Sequence, residues 1–172
     1  MAITLDGSNL TTNGVINRGT AVTTTSGTAV NFTGIPIGAS RITIMLNGVS
    51  FSGTSNGIIQ IGAGSVEATG YASGLGAVGS AGASGAVGPT TVGFVFGLTT
   101  ATNLYYGNIT LTLVGSNLWV YSLSGYVNAA GTPFGLVGGG SKTLSGTLDR
   151  VRITAANGTD TFDAGSINIL YE

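Results

Sequence analysis

Histidine and cysteine are absent from this 172-residue chain, and charge is scarce: five Lys and Arg and six Asp and Glu stand against 31 glycines. Without histidine the commonest general base and transition-metal ligand is missing. Without cysteine there is no disulfide frame, no thiolate nucleophile and no structural zinc site of the usual kind, and the redox compartment is left open. The cations are Arg18, Arg41, Lys142, Arg150 and Arg152, and the formal net charge is -1. Phosphate binding needs a basic stripe, so no nucleic-acid partner is expected. The segment Met1 to Asp6 has no basic region followed by an apolar run, and no stretch approaches the roughly 18 apolar residues of a spanning helix, so neither a secretion signal nor membrane insertion is expected. Long solvent-facing helices are disfavoured too, because they need charge and strong helix formers.

What is present points to sheets. The chain is 42% hydrophobic with mean hydropathy +0.45, enough to bury a core at this length. In Arg41 to Leu46, Ile42, Ile44 and Leu46 alternate with Arg41, Thr43 and Met45. In Asn108 to Val114, Ile109, Leu111 and Leu113 alternate with Asn108, Thr110 and Thr112. Val151 and Ile153 against Arg150 and Arg152, and Ile167, Ile169 and Tyr171 against Asn168 and Leu170, follow the same period of two. Weaker strands are expected at Thr28 to Phe32, Gly57 to Ile61, Val92 to Phe96, Leu118 to Leu123 and Lys142 to Leu148. Asn13-Gly14, Asn47-Gly48, Asn56-Gly57 and Asn157-Gly158 offer tight turns. Many short strands at close spacing predict an all-β, antiparallel β-sandwich, jelly-roll-like, at residues 26–172, with residues 1–25 a short N-terminal arm or attachment segment. Both faces of Leu118 to Leu123 carry large apolar groups. With so little charge to cover the outside, a second subunit is the expected cover.

Residues 70–89 hold small side chains throughout and are expected as a Gly/Ala/Ser-rich loop. Glycines recur there at every third position from Gly76 to Gly88, but no proline fills the intervening positions as collagen requires. Within the run, Gly74-Leu75-Gly76-Ala77-Val78-Gly79 matches the dinucleotide-binding fingerprint in letters only, since no helix N-terminus follows to receive a pyrophosphate. Gly138-Gly139-Gly140 is expected as a second loop.

The catalytic repertoire is nearly empty, and neither enzymatic activity, a cofactor nor a metal is expected. Asp160 and Asp163 could offer oxygens to calcium, but the ligand density of a calcium loop is missing. Asp149, beside Arg150 and Arg152, reads as part of an ion pair. The remaining functional signal is aromatic. Trp119 and Tyr121 are placed in a core or interface, whereas Tyr71, Tyr105, Tyr106, Tyr126 and Phe134 are placed in loops as candidate ligand-binding residues. Aromatic faces among many Asn, Ser and Thr suit a sugar.

The run Leu144 to Thr154 (LSGTLDRVRIT), followed by Asn157 to Glu172 (NGTDTFDAGSINILYE), resembles the end of a tail-fibre-like module of bacteriophage and prophage virion proteins. Val30 to Pro36, Arg41 to Ile44 and Asn47 to Ser50 are similar to the same module's beginning, and Ile3 to Gly7 looks like a segment that often precedes it. The likeness spans roughly Thr20 to Glu172, least in the glycine-rich middle. It implies a structural protein of the virion, a homotrimer at a fibre tip or on the capsid, assembled in the bacterial cytoplasm. It brings no catalytic or ligand site. Its partners would be its own copies, other capsid or tail proteins and a host cell-surface glycan. Long fibre proteins carry an attachment domain and a shaft, and neither is recognisable here, so a capsid decoration, cement or head-fibre protein is the alternative. A polysaccharide hydrolase is a third class, for which no carboxylate pair forms a motif.

Overall fold

The computed structural model describes residues 16–79, 82–98 and 100–172, so Asn13-Gly14 and the first fifteen residues of the expected arm lie outside the described residues. The strands are β1 (Asn17–Arg18), β2 (Val22–Thr23), β3 (Ala29–Thr33), β4 (Arg41–Phe51), β5 (Gly57–Ala63), β6 (Ser65–Val66) and β7 (Ala72–Gly79). They continue as β8 (Gly82–Thr90), β9 (Phe94–Val95), β10 (Asn103–Gly115), β11 (Leu118–Ala129), β12 (Thr132–Thr143), β13 (Arg150–Ala155) and β14 (Phe162–Tyr171). No helix occurs among the described residues.

Two antiparallel sheets result. The nine-stranded sheet runs β1-β14-β4-β10-β11-β12-β7-β8, with β2 also on β14; the five-stranded sheet runs β3-β13-β5-β6, with β9 also on β5. The path from β3 to β5 and from β12 to β14 changes sheet at every connection, which is the expected sandwich. The meander β10–β12 and the hairpin β7–β8 make one sheet much the wider. Residues 16–25, expected within the arm, lay β1 and β2 against β14, with Asn17 opposite Tyr171 and Val22 opposite Ile167.

The alternation explains the layering. Ile42, Ile44, Leu46, Ile109, Leu111, Trp119, Tyr121 and Leu123 point in from the wide sheet. Val30, Phe32, Ile59, Ile61, Val151 and Ile153 meet them from the narrow one. Each large side chain so buried contributes about 1.5–3 kcal/mol. The β10–β11 turn carries positive φ at Ser116 (47°) and Asn117 (63°), and the β11–β12 turn at Ala130 (49°) and Gly131 (87°). Two successive positive φ values give the turn hand that matches strand twist.

Several expectations are corrected. Asn47-Gly48 lies inside β4, where the register against β10 slips, so it is a bulge and not a hairpin turn. Residues 144–149 form a connection, although Leu144 and Leu148 are buried: both plug the sandwich from a loop. Within the run 70–89, residues 72–79 and 82–89 are antiparallel strands and not a loop, with β7 on β12 and β8 on β7. Gly138–Gly140 lies within β12. The glycines of this part let three strands and a tyrosine pack closely. A Cβ on Gly138 would stand 2.5 Å from the Tyr121 hydroxyl, and one on Gly140 would collide with the Ala72 backbone.

Candidate functional site

Three of the inward tyrosines tie strands to the loops that cross between the sheets. The Tyr71 hydroxyl accepts the Ile61 N–H at 2.8 Å and donates to the Glu67 carbonyl at 2.8 Å. Tyr105 accepts the Leu98 N–H at 2.8 Å and the Asn103 amide at 3.1 Å, and donates to the Leu98 carbonyl at 2.7 Å. Tyr121 donates to the Val95 carbonyl. Burial pushes all three hydroxyls above the ordinary tyrosine value, so they stay neutral donors. Phe94 stacks on Tyr121 with centroids 5.0 Å apart and meets the Tyr71 ring edge-on at 4.9 Å. Tyr71 lies in the loop before β7, as expected, and Tyr105 in β10 rather than a loop, but both are core residues and not exposed ones, at 3% and 2% exposure. Phe134 is also displaced from its expected place: it lies in β12 opposite the buried Val127 and packs against the core.

Tyr106 and Tyr126 sit in strands as well, but on the outer face. They are direct cross-strand partners in β10 and β11, with ring centroids 5.8 Å apart, and Tyr126 is 41% exposed. On one side the Tyr106 ring lies over Gly48; on the other, Gly135 is opposite Tyr126 and offers no side chain. The pair thus forms an aromatic ledge between two glycine positions. In the next outward row, Asn108 faces Ser124, both exposed and with no protein partner for their side chains among the described residues. Aromatic faces beside free amide and hydroxyl groups can take the apolar face and hydroxyls of a sugar ring.

This ledge belongs to a wide uncharged surface. The outward positions of β10, β11, β12, β7 and β8 include no charged residue: these strands hold a single charge, Lys142, and it points inward. What they present is Asn108, Thr110, Thr112, Ser122, Ser124 and Ser141, with Val114, Val137 and Val78 more than half exposed.

The charged groups lie elsewhere and mostly in pairs. Lys142, 8% exposed, places its Nζ 2.6 Å from Glu67 Oε2, and Ser145 donates its N–H and hydroxyl to Glu67 Oε1, each at 2.8 Å. Burial raises the Glu67 carboxyl, but the hydrogen bonds from Lys142 and Ser145 outweigh it and hold the group below its ordinary value. Asp149 and Arg150 form a two-bonded pair at 2.7 and 2.9 Å, and the guanidinium holds the Asp149 carboxyl low. Arg152 does not join them; its Nε donates to Asn31 at 2.9 Å. Arg41 pairs with Glu172. Asp160 accepts the Ser55 N–H at 2.9 Å and the Asn157 amide at 2.6 Å, which ties a turn and leaves Asp163 apart from it. No cluster of three metal-ligating side chains occurs among the described residues.

No protein-family model matches the chain, and no curated protein matches it. Among solved structures it is similar to a protein of unknown function from Shewanella oneidensis MR-1, at 11% identity and a TM-score of 0.23, over 92% of this chain and 76% of that one.

Proposed function

We propose that the chain is a non-enzymatic structural protein of a bacteriophage virion, assembling as a homotrimer and attaching to host-surface glycan. The observation that carries this reading is the uncharged outer face of the wide sheet. The five strands β10, β11, β12, β7 and β8, about 4.8 Å apart and taken over eight residues of about 3.3 Å each, span on the order of 630 Å². One partner of a standard stable interface gives about 600–1,000 Å². An exposed monomer surface of that size normally carries charges to prevent association, and a second copy of this chain, equally uncharged there, desolvates no ion on meeting it. The C-terminal resemblance supplies the virion setting, and the Tyr106–Tyr126 ledge supplies a surface for sugar at the margin of the assembly. Sedimentation of the purified chain at micromolar concentration tests the assembly: a trimer is expected, and a monomer would remove it. A glycan array together with host-cell binding tests the attachment; silence in both would remove that half.

One observation favours the second reading, a capsid decoration or cement protein. Two of the five aromatic candidates, Tyr71 and Tyr105, are in the core, which leaves a smaller recognition surface. Electron microscopy of particles labelled against this chain separates the two. Label at the tail tip supports attachment; label over the capsid, with normal adsorption of particles lacking the protein, supports decoration.

A further inference from the structure

On the opposite side of the molecule, the outer face of the narrow sheet carries one row of three polar side chains: Asn31 of β3, Arg152 of β13 and Gln60 of β5, each directly opposite the next. Arg152 and Gln60 line a hollow of about 350 Å³, closed on one side by the turn at Asn157 and Gly158. Asn31 takes the Arg152 Nε–H at 2.9 Å, which fixes the guanidinium plane, while its two Nη groups have no partner among the described residues. Gln60 is 8% exposed and donates its Nε2 to the Val92 carbonyl at 2.9 Å, so the orientation of its amide is set. Its Oε1 is then an acceptor without a protein partner. No carboxylate lines the hollow.

The hollow therefore offers an unpaired planar fork of donors, held by a neighbour, beside a fixed and nearly buried acceptor. A carboxylate matches the fork with two parallel hydrogen bonds, and a hydroxyl on the same molecule satisfies the acceptor. A phosphate suits it less well: there is one cation, and the Gln60 oxygen would face phosphate oxygens. The volume lies at the low end of the about 300–1,000 Å³ of ligand pockets, which is room for one sugar ring. We propose that this hollow binds a carboxylated sugar, a hexuronic acid unit of a surface polysaccharide, with Arg152 on the carboxylate and Gln60 on a ring hydroxyl. The inference rests on the glycan-attachment reading and names the class of glycan.

The test is a titration of the full-length chain with methyl glucuronide, followed by NMR of the Arg152 Nε–H and the Gln60 side-chain amide, with methyl glucoside, the glucuronide methyl ester and inorganic phosphate as controls. Saturable shifts at both groups are expected with the glucuronide only. Arg152→Gln, and also Arg152→Lys, which keeps the charge without the fork, are expected to weaken binding about tenfold or more, with melting temperature unchanged. No saturable shift, an equal response to phosphate, or full binding by both folded variants would overturn the proposal. Host-cell binding that persists in both variants while methyl glucuronide leaves Arg152 unmoved sinks this inference and leaves glycan attachment standing. Loss of all sugar and host-cell binding by the unaltered protein sinks both.

Discussion

Tyr105 and Tyr106 are neighbours in sequence with opposite fates, one in the core and one on the surface, because a strand turns successive side chains to opposite faces. The alternation of Ile109 and Leu111, carried back along β10, assigns Tyr105 inward and Tyr106 outward. In the same way Trp119, Tyr121 and Leu123 carried forward assign Tyr126 outward. That part of the site was legible in the sequence, and it was obscured by ending both strands too early. For the buried tyrosines the hydroxyl bond matters as much as the ring. Tyr121→Phe leaves the Val95 carbonyl without its donor and is expected to lower stability by about 1–2 kcal/mol in chemical denaturation. Glu67 is different, since its contribution depends on pH. Its folded carboxyl is held below the unfolded value of about 4.3, so its stabilisation is complete above that pH and disappears as pH falls through the folded value. Glu67→Gln is expected to cost about 1–2 kcal/mol at pH 7. The gap in melting temperature between variant and parent should close as the pH is lowered from 7 to 3.

At the scale of the strands, the regular segments announced themselves and the glycine-rich ones did not. β4, β10, β13 and β14 have large apolar residues at alternate positions, whereas β7 has Leu75 and Ala77 diluted by Gly74, Gly76 and Gly79, and β12 has glycine at both Gly138 and Gly140. Composition therefore suggested loops where close packing needed residues without a Cβ. Gly140→Val tests this: its side chain would enter the Ala72 backbone, and hydrogen exchange should show β7 and β8 losing protection while β4 and β10 keep theirs. The turns reversed the expectation in another way. Asn47-Gly48 became a bulge, and the tight hairpins fell at Ser116-Asn117 and Ala130-Gly131, where the positive φ of an L-residue costs about 1–2 kcal/mol. Ala130→Gly removes that cost at the expense of some unfolded-chain entropy, and thermal melts should show a gain of about 0.5–1 kcal/mol.

For the molecule as a whole, the composition already implied a covered surface, but which surface depended on the sheet order, set by long-range pairings that no local pattern contains. The pairing of β12 with β7 brings an uncharged hairpin beside a meander whose one charge, Lys142, points inward, and the uncharged outward residues of the two become contiguous only then. In the proposed homotrimer, Ser122→Glu at the centre of this face would place a like charge on each copy across the shared interface. The expected outcome is a shift from trimer to monomer in sedimentation, with the far-UV spectrum unchanged. The pairing of β1 with β14 has a mechanical consequence. Asn17 lies opposite Tyr171, and the two strands run antiparallel, so a pull on both chain ends separates them one hydrogen bond at a time, as a zipper opens, and meets little resistance. A load passing instead along the twelve- and thirteen-residue strands of the meander must break many hydrogen bonds together. The domain should thus be weak or strong under tension according to where it is held, which single-molecule stretching from the two ends and from an end and the β7–β8 hairpin would compare.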